Sequence, residues 1–272
     1  MVFEVLTEEV RGQAPWCMMY ADDVVLCAET KEEIEQWLEN WRVALESRGM
    51  KVNRKKTEYM RCDGQPDLGE ELKMNGDQIK RVECFKYLGS TIEAEGGVER
   101  EVNNRIQSGW KSWREVSGVL CDRKMPVKLK GKVFKTVVRP AMLYGLETVP
   151  LKKTSERRLD VAEMKMLRWT CGVTRKDKIR NVHIRGTVKV AEASRKVQEA
   201  RLRWYGHIRR RDEEYVGRKV LEMEVPGRRR RGRPKTRWRD CVAADIREKD
   251  LEENAVYDRG KWRRLIKNSD PI

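Results

Sequence analysis

Two adjacent aspartates, Asp22 and Asp23, stand in the string YADD, between apolar Trp16 to Met19 and apolar Val24 to Leu26. Two apolar runs around a two-residue polar tip predict a strand, a tight turn and a second strand, with both carboxylates carried at the bend. Such a tip can do metal chemistry. Nucleotidyl transfer needs a 3′-hydroxyl activated, a pentacovalent phosphate neutralised and a pyrophosphate released, which two Mg²⁺ ions held by rigid carboxylates accomplish together. Hard divalent cations take oxygen ligands on a fixed frame, and adjacent aspartates anchored in a sheet supply one. By itself the string decides little, because two adjacent aspartates are also what an ordinary solvated turn contains.

The cysteines and histidines give little support to a zinc site. The seven cysteines (Cys17, Cys27, Cys62, Cys84, Cys121, Cys171 and Cys241) are scattered, odd in number and without a C-x-x-C pair. That pattern argues against a disulfide framework and for a reducing, intracellular compartment, nucleus and cytoplasm. With His183 and His207 as the only histidines, a closed zinc site would have to draw ligands from distant segments. No apolar run approaches the roughly 20 residues of a membrane span, and no signal peptide is present.

The net charge of +16 conceals an asymmetry: residues 1–100 hold 14 Lys and Arg against 21 Asp and Glu, and the remaining 172 hold 46 against 23. A basic excess of that size raises the local concentration of a polyanion and gives salt-dependent affinity, so nucleic acid is the expected partner and a membrane is not. Charged residues reach 38%, yet tryptophans, methionines and leucines recur at helical spacing. The chain therefore reads as a folded protein of the α+β class, mostly helical.

The elements that position the carboxylates follow in order. After the turn, Thr30 with Glu33 forms a capping box, Ile34, Trp37, Leu38, Trp41 and Leu45 share a helix face, and Gly49 stops the helix. MKVNRKKTEYMRC has the character of a strand returning to the sheet, Asp63 to Asp77 that of a loop, and QIKRVECFKYLGSTIE that of a hairpin bending near Gly89. Three helices are expected next, over about 98–119, 126–146 (Pro126 at its first position, a kink at Pro140) and 154–171, packed as a bundle. A further helix is expected over 190–211, a Gly/Pro/Arg linker over 226–237, and helix again from Trp238 to Lys267, with Val242, Ile246, Leu251, Trp262, Leu265 and Ile266 as its apolar face.

YADDVVLCA, GMKVNRKKTEYM and FKYLGSTI, in that order and spacing, resemble palm motifs C, D and E of the non-LTR (LINE-like) retrotransposon reverse transcriptases. RPAMLYGLETV and MKMLRWTCGVTRKDKIRN resemble that family's thumb. RLRWYGHIRRR, GRPKTRWRDC and YDRGKWRRLI resemble the tails of its RTE and CR1 kinds. The resemblance implies a partial palm over 1–97 (a small antiparallel sheet with a helix), a helical thumb over 98–186 and a basic helical tail over 187–272. It implies Mg²⁺ at Asp22 and Asp23, with Asp22 the direct ligand, and Tyr20 and Ala21 lining the primer terminus and incoming nucleotide. Lys56, with Lys55 equally placed, falls on the lysine that assists pyrophosphate departure, or else both are solvated charges. Phe85, Lys86, Tyr87, Leu88 and Gly89 fall on the primer grip. The partners implied are an RNA template and a DNA primer or target.

The family's metal site includes another aspartate on an earlier strand, and only nineteen residues precede Tyr20. Glu4, Glu8 and Glu9 lack the apolar strand context of such a ligand. The chain alone is therefore expected not to polymerise DNA. The alternative functions are a nucleic-acid-binding module without catalysis and a decayed element copy. In the tail, Arg231, Gly232, Arg233 and Pro234 resemble the core of an AT-hook, and Arg228, Arg229, Arg230, Arg231, Arg233, Lys235 and Arg237 would serve that role or a plain phosphate-binding one. Most of the tryptophans should be core, with Trp204 and Trp238 the better exposed. His207 is expected to be structural or to contact phosphate.

Overall fold

A computed structural model of the chain describes residues 7–62, 71–223 and 236–271. They divide into two compact units, Met1–Gly97 and Val98–Ile272.

In the first unit, strands β1 (Cys17–Tyr20) and β2 (Asp23–Leu26) form an antiparallel hairpin with Tyr20 opposite Asp23. Helix α1 (Lys31–Glu46) follows. Its N-terminus carries the expected capping box: the Thr30 hydroxyl accepts from the Glu33 N–H at 3.2 Å and the Glu33 carboxylate accepts from the Thr30 N–H. Its C-terminus closes as a Schellman pair, the Met50 N–H donating to the Leu45 carbonyl and the Gly49 N–H to that of Glu46. Gly49 sits at φ +81°, in the left-handed region that a side chain resists. One part of the helix face, Trp37, Trp41 and Leu45, packs with Cys17, Met19, Val24 and Leu26 of the hairpin. Ile34 and Leu38 pack with Leu72, Met74 and Ile79.

Between α1 and residue 80 the structure departs from expectation. The segment from Met50 is no long strand: Asn53 accepts from the N–H groups of Lys56 and Thr57 through its carbonyl, and its side chain accepts from Lys56 as well. That local asparagine turn takes the backbone groups a ladder would need. What remains is β3 (Glu58–Tyr59), which pairs in parallel with β6 (Lys80–Arg81). Within the stretch read as loop, β4 (Lys73–Met74) and β5 (Asp77–Gln78) form a hairpin around Asn75 and Gly76, both at positive φ. This is the Asn-Gly turn whose twist suits paired strands. The expected hairpin near Gly89 is present as β7 (Cys84–Tyr87) and β8 (Ser90–Glu93), turning through Leu88 and Gly89, both again at positive φ. Among the described residues every sheet is two-stranded.

The second unit is helical. Helices α2 (Glu99–Glu115), α3 (Ser117–Leu120), α4 (Val127–Val133), α5 (Arg139–Leu143) and α6 (Lys153–Thr170) occupy the stretch where three helices were expected. The first breaks at Val116, and Pro126 caps α4 from just outside rather than occupying its first position. At Pro140 there is no simple kink. A π turn, Phe134–Val138, lies directly before it, widening the helix where the proline nitrogen has no hydrogen to give. Two short helices were not anticipated, α7 (Asn181–Val188) and α9 (Val216–Glu222). Between them α8 (Ala193–Arg209) starts slightly later than expected. The C-terminal stretch is α10 (Trp238–Glu248), a 3₁₀ turn (Glu253–Tyr257) and α11 (Arg259–Ile266) rather than one helix. Leu265, assigned to its apolar face, is 42% exposed; the break at Asp250 resets the helical phase after Leu251.

Two cores share α8. The larger joins Val102, Phe134, Met142, Leu159 and Leu167 to Val188 and Val197; the smaller joins Leu202 to Val242, Val256, Trp262 and Ile266. Several buried charges are paired between helices. Glu163 accepts from Arg185 at 2.6 Å and from the Ala193 N–H at 2.9 Å. Arg201, 1% exposed, donates to Asp245 at 2.6 Å and to Glu156 at 3.3 Å.

Candidate active site and nucleic-acid interface

The β1–β2 hairpin holds Asp22 and Asp23 as the sequence implies: Ala21 and Asp22 form the turn, Asp23 opens β2, and all three are exposed. Ala21 occupies φ +53°, a conformation that costs an L-residue about 1–2 kcal/mol. The strands on either side impose it. Tyr20, 62% exposed, projects beside the carboxylates. Asp22 and Asp23 are hard oxygen donors suited in kind to Mg²⁺. In number they fall short, because no group of three His, Cys, Asp or Glu able to hold a metal occurs among the described residues.

Tyr87 of the β7–β8 hairpin lies within electrostatic reach of Asp23. Burial pushes the Tyr87 hydroxyl above its ordinary pKa, and the nearby Asp23 carboxylate and Cys17 push it further the same way. Phe85 and Tyr87 are half-buried, while Lys86, Leu88 and Gly89 are exposed. Lys55 and Lys56 stand in the asparagine turn, exposed, and no hydrogen bond or ion pair joins them to Asp22 or Asp23 among the described residues. The structure thus brings Tyr20, Ala21, Asp22 and Asp23 together at one hairpin tip, with Tyr87 within electrostatic reach of Asp23, and among the described residues no hydrogen bond or ion pair joins Lys56 to them.

In the basic half, Arg228 to Arg231, Arg233 and Lys235 lie outside the described residues, as does the Arg231–Pro234 string. Arg237 caps α10, its N–H donating to the Asp240 carboxylate at 2.8 Å. Trp204 and Trp238 are half-buried rather than free: Trp204 stacks on His207 at 5.2 Å, and the Trp238 Nε1 donates to the Glu147 carbonyl at 2.7 Å. Burial, helped by Arg211, Arg210 and Arg259, depresses the His207 pKa. Trp113 and Trp262 are core as expected, but Trp169 is 66% exposed, its edge against Trp113. Leu167 and Thr170 on either side of it turn inward. On a helical projection of residues 153–170 position 169 falls between Lys165, which is exposed, and Ala162 and Met166, which are buried, so it lies at the edge of the two faces and periodicity alone does not decide it.

Residues 1–92 match the family model for reverse transcriptase (RNA-dependent DNA polymerase). The chain is 24% identical to a putative uncharacterized transposon-derived protein of Caenorhabditis elegans, over 96% of this chain and 98% of that protein. It is 23% identical to the RNA-directed DNA polymerase from mobile element jockey of Drosophila melanogaster, over 56% of this chain and 18% of that polymerase. The chain thus spans nearly all of the nematode relative and under a fifth of the insect one. No solved structure matches. The described helices include none long and apolar enough to cross a membrane. With the family match falling on the segment that builds the carboxylate hairpin and the β7–β8 hairpin, residues 1–92 carry part of a reverse transcriptase, and the chain as a whole is similar to proteins derived from transposons and mobile elements.

Proposed function

We propose that residues 1–97 supply part of a polymerase palm in RNA-directed DNA synthesis, with Asp22 and Asp23 contributing two carboxylates to a Mg²⁺ site. The observation that carries this reading is the reverse transcriptase match over residues 1–92, which spans the Asp22–Asp23 turn and most of the β7–β8 hairpin. Mg²⁺ held there would neutralise charge on the phosphate being transferred. Tyr20 and Ala21 line the primer terminus and incoming nucleotide, Phe85 to Gly89 hold the primer end, and Lys56 assists pyrophosphate departure from the exposed asparagine turn. Residues 98–186 serve as a thumb and 187–272 as a basic tail against RNA template and DNA primer or target. Two carboxylates hold two metals poorly, so activity requires a further carboxylate beyond Asp22 and Asp23.

Primer extension on an RNA template with Mg²⁺ tests this on the 272-residue chain, on its Asp22→Asn/Asp23→Asn variant and on a mock preparation. No extension is expected from the chain alone. Grafted in place of the corresponding segment of the jockey polymerase, residues 1–97 should support extension that the double variant abolishes. A graft equally active without both carboxylates sinks the metal-binding reading. A second reading, nucleic-acid binding without catalysis, is favoured by the charge of residues 101–272, 46 basic against 23 acidic. Salt-dependent binding with no active graft would select it.

A further inference from the structure

Helix α6 segregates its charges by face. Its acids turn inward: Glu156 accepts from buried Arg201, Asp160 accepts from the Ser194 N–H at 3.0 Å, and Glu163 is fully buried against Arg185 and Arg139. Its outward positions are Arg157, Arg158, Val161, Lys165 and Trp169. This is the reverse of what solubility alone asks, since a solvated helix face normally mixes both signs. Alongside runs α2, and between the two helices lies a groove of about 430 Å³ with an apolar floor of Ile106, Trp110 and Val161 and a rim of Arg157, Arg158 and Lys165.

Three tryptophans follow the same seam. Trp110 lines the groove and meets Trp113 edge to face at 5.7 Å, and Trp113 meets exposed Trp169 edge to face at 6.3 Å. Neighbouring cations differ in availability. Arg158 is bound to Glu99 at 2.9 Å and to Asn103, and Arg168 donates to the Thr174 and Ile179 carbonyls and to Asn181. Arg157 and Lys165 have no ion-pair partner among the described residues.

We propose that the α2–α6 seam binds single-stranded nucleic acid, an unpaired base entering the groove against Trp110, another stacking on Trp169, and the intervening phosphates lying on Arg157 and Lys165. Position 157 to position 169 is about 18 Å of helix, room for a few nucleotides of an extended strand. Aromatic faces flanked by cations are the general means of holding single strands without reading their sequence. Paired bases keep their faces inside the duplex, where neither indole can reach them, whereas unpaired bases splay out onto aromatic side chains. An acidic peptide would find the cations but leave the two indoles without planar partners. The inference rests on the reading of nucleic acid as this chain's partner, and gives that partner a place and a strandedness.

The test is fluorescence anisotropy with the full chain, an oligonucleotide of about 12 uridines or thymidines and a duplex of equal length, across a salt series. Trp169→Ala should weaken single-strand binding by about fivefold to a hundredfold, and Trp169→Phe should recover most of it. Arg157→Gln/Lys165→Gln should lower the salt slope for the single strand by about 1.4, the loss of two phosphate contacts. Duplex affinity should change little in either variant. Thermal melts confirm folding; all three side chains are exposed. If the chain binds single strands and none of these variants weakens it, the seam is not the site. A loss that falls equally on duplex overturns the strandedness. A wild-type chain that binds no nucleic acid removes this inference together with the reading beneath it.

Discussion

The two units solve different problems. In the first, short two-stranded hairpins lean on a single helix, their cores are small and separate, and chemistry-bearing side chains stand at exposed turns. In the second, the helices enclose two larger apolar cores joined through α8, and several charges between the helices are buried and paired. Strands with few partners leave backbone groups and edges for another element to cover, whereas packed helices satisfy their backbones internally. The difference teaches where stability and chemistry reside. The carboxylate turn is held by local devices, a capping box and hairpin turns, while the helical unit depends on contacts between residues far apart in sequence.

The strongest test of that contrast removes a long-range charge. Arg201 is fully buried with Asp245 and Glu156, so Arg201→Leu leaves two carboxylates in the interior without their cation. A loss of about 3–5 kcal/mol is expected in urea unfolding, because an uncompensated buried charge costs far more than the intact pair contributes. Arg42 in the first unit also bridges two acids, Glu39 and Glu46, but along one helix and at the surface. Arg42→Leu should leave the urea midpoint nearly unchanged. Equal effects from the two substitutions would remove the distinction between local and long-range support.

A smaller effect is expected where the C-terminus clasps the helical unit. Asp270 accepts from the Ala191 N–H at 2.9 Å and from Arg139 at 3.2 Å, and Arg139 also donates to the Ala191 carbonyl at 2.7 Å. Burial raises the Asp270 carboxyl, but the Ala191 N–H and Arg139 outweigh it and bring the pKa below its ordinary value. A depressed pKa means stability fully present above the unfolded-state value of about 4 and lost as the pH falls further, through the folded-state value. Asp270→Asn should cost about 1.5 kcal/mol at neutral pH and flatten that acid dependence. An unchanged acid profile in the variant would show that the clasp carries no linkage.

Local signals were legible in the sequence and long-range ones were not. The carboxylate turn, the Thr30–Glu33 box, the Gly49 stop and the Leu88–Gly89 bend each depend on residues within a few positions, and each is present. The Asn75–Gly76 hairpin carried an equally local signal that the surrounding Gly, Pro and Asp content obscured. Asn53 ended the strand expected after α1 because its carbonyl and side chain together take the Lys56 and Thr57 N–H groups into a local turn. The approach of Tyr87 to Asp23, and the burial of Arg201 and Glu163, join residues dozens of positions apart, and no periodicity reports them. Trp169 is exposed although most tryptophans were expected in the core: it lies on α6 at the boundary between buried Ala162 and Met166 and exposed Lys165, where periodicity alone does not decide burial.

The smallest predicted effect concerns the first unit's own local device. Thr30→Ala removes the hydroxyl that accepts from Glu33 and half of the capping box, a loss of about 1 kcal/mol. Helix α1 carries both small cores, so the loss should spread over the whole first unit: Trp37 and Trp41 pack on the carboxylate hairpin, Ile34 and Leu38 on the β4–β5 hairpin. Amide hydrogen exchange should therefore quicken in β1, β2 and α1 while α6 and α8 keep their protection. Thr30→Ser, which keeps the accepting oxygen, should restore most of it. Exchange that quickens equally in the helical unit would show the chain opening as one block, and the separation of a locally held carboxylate turn from a tertiary helical core would fail.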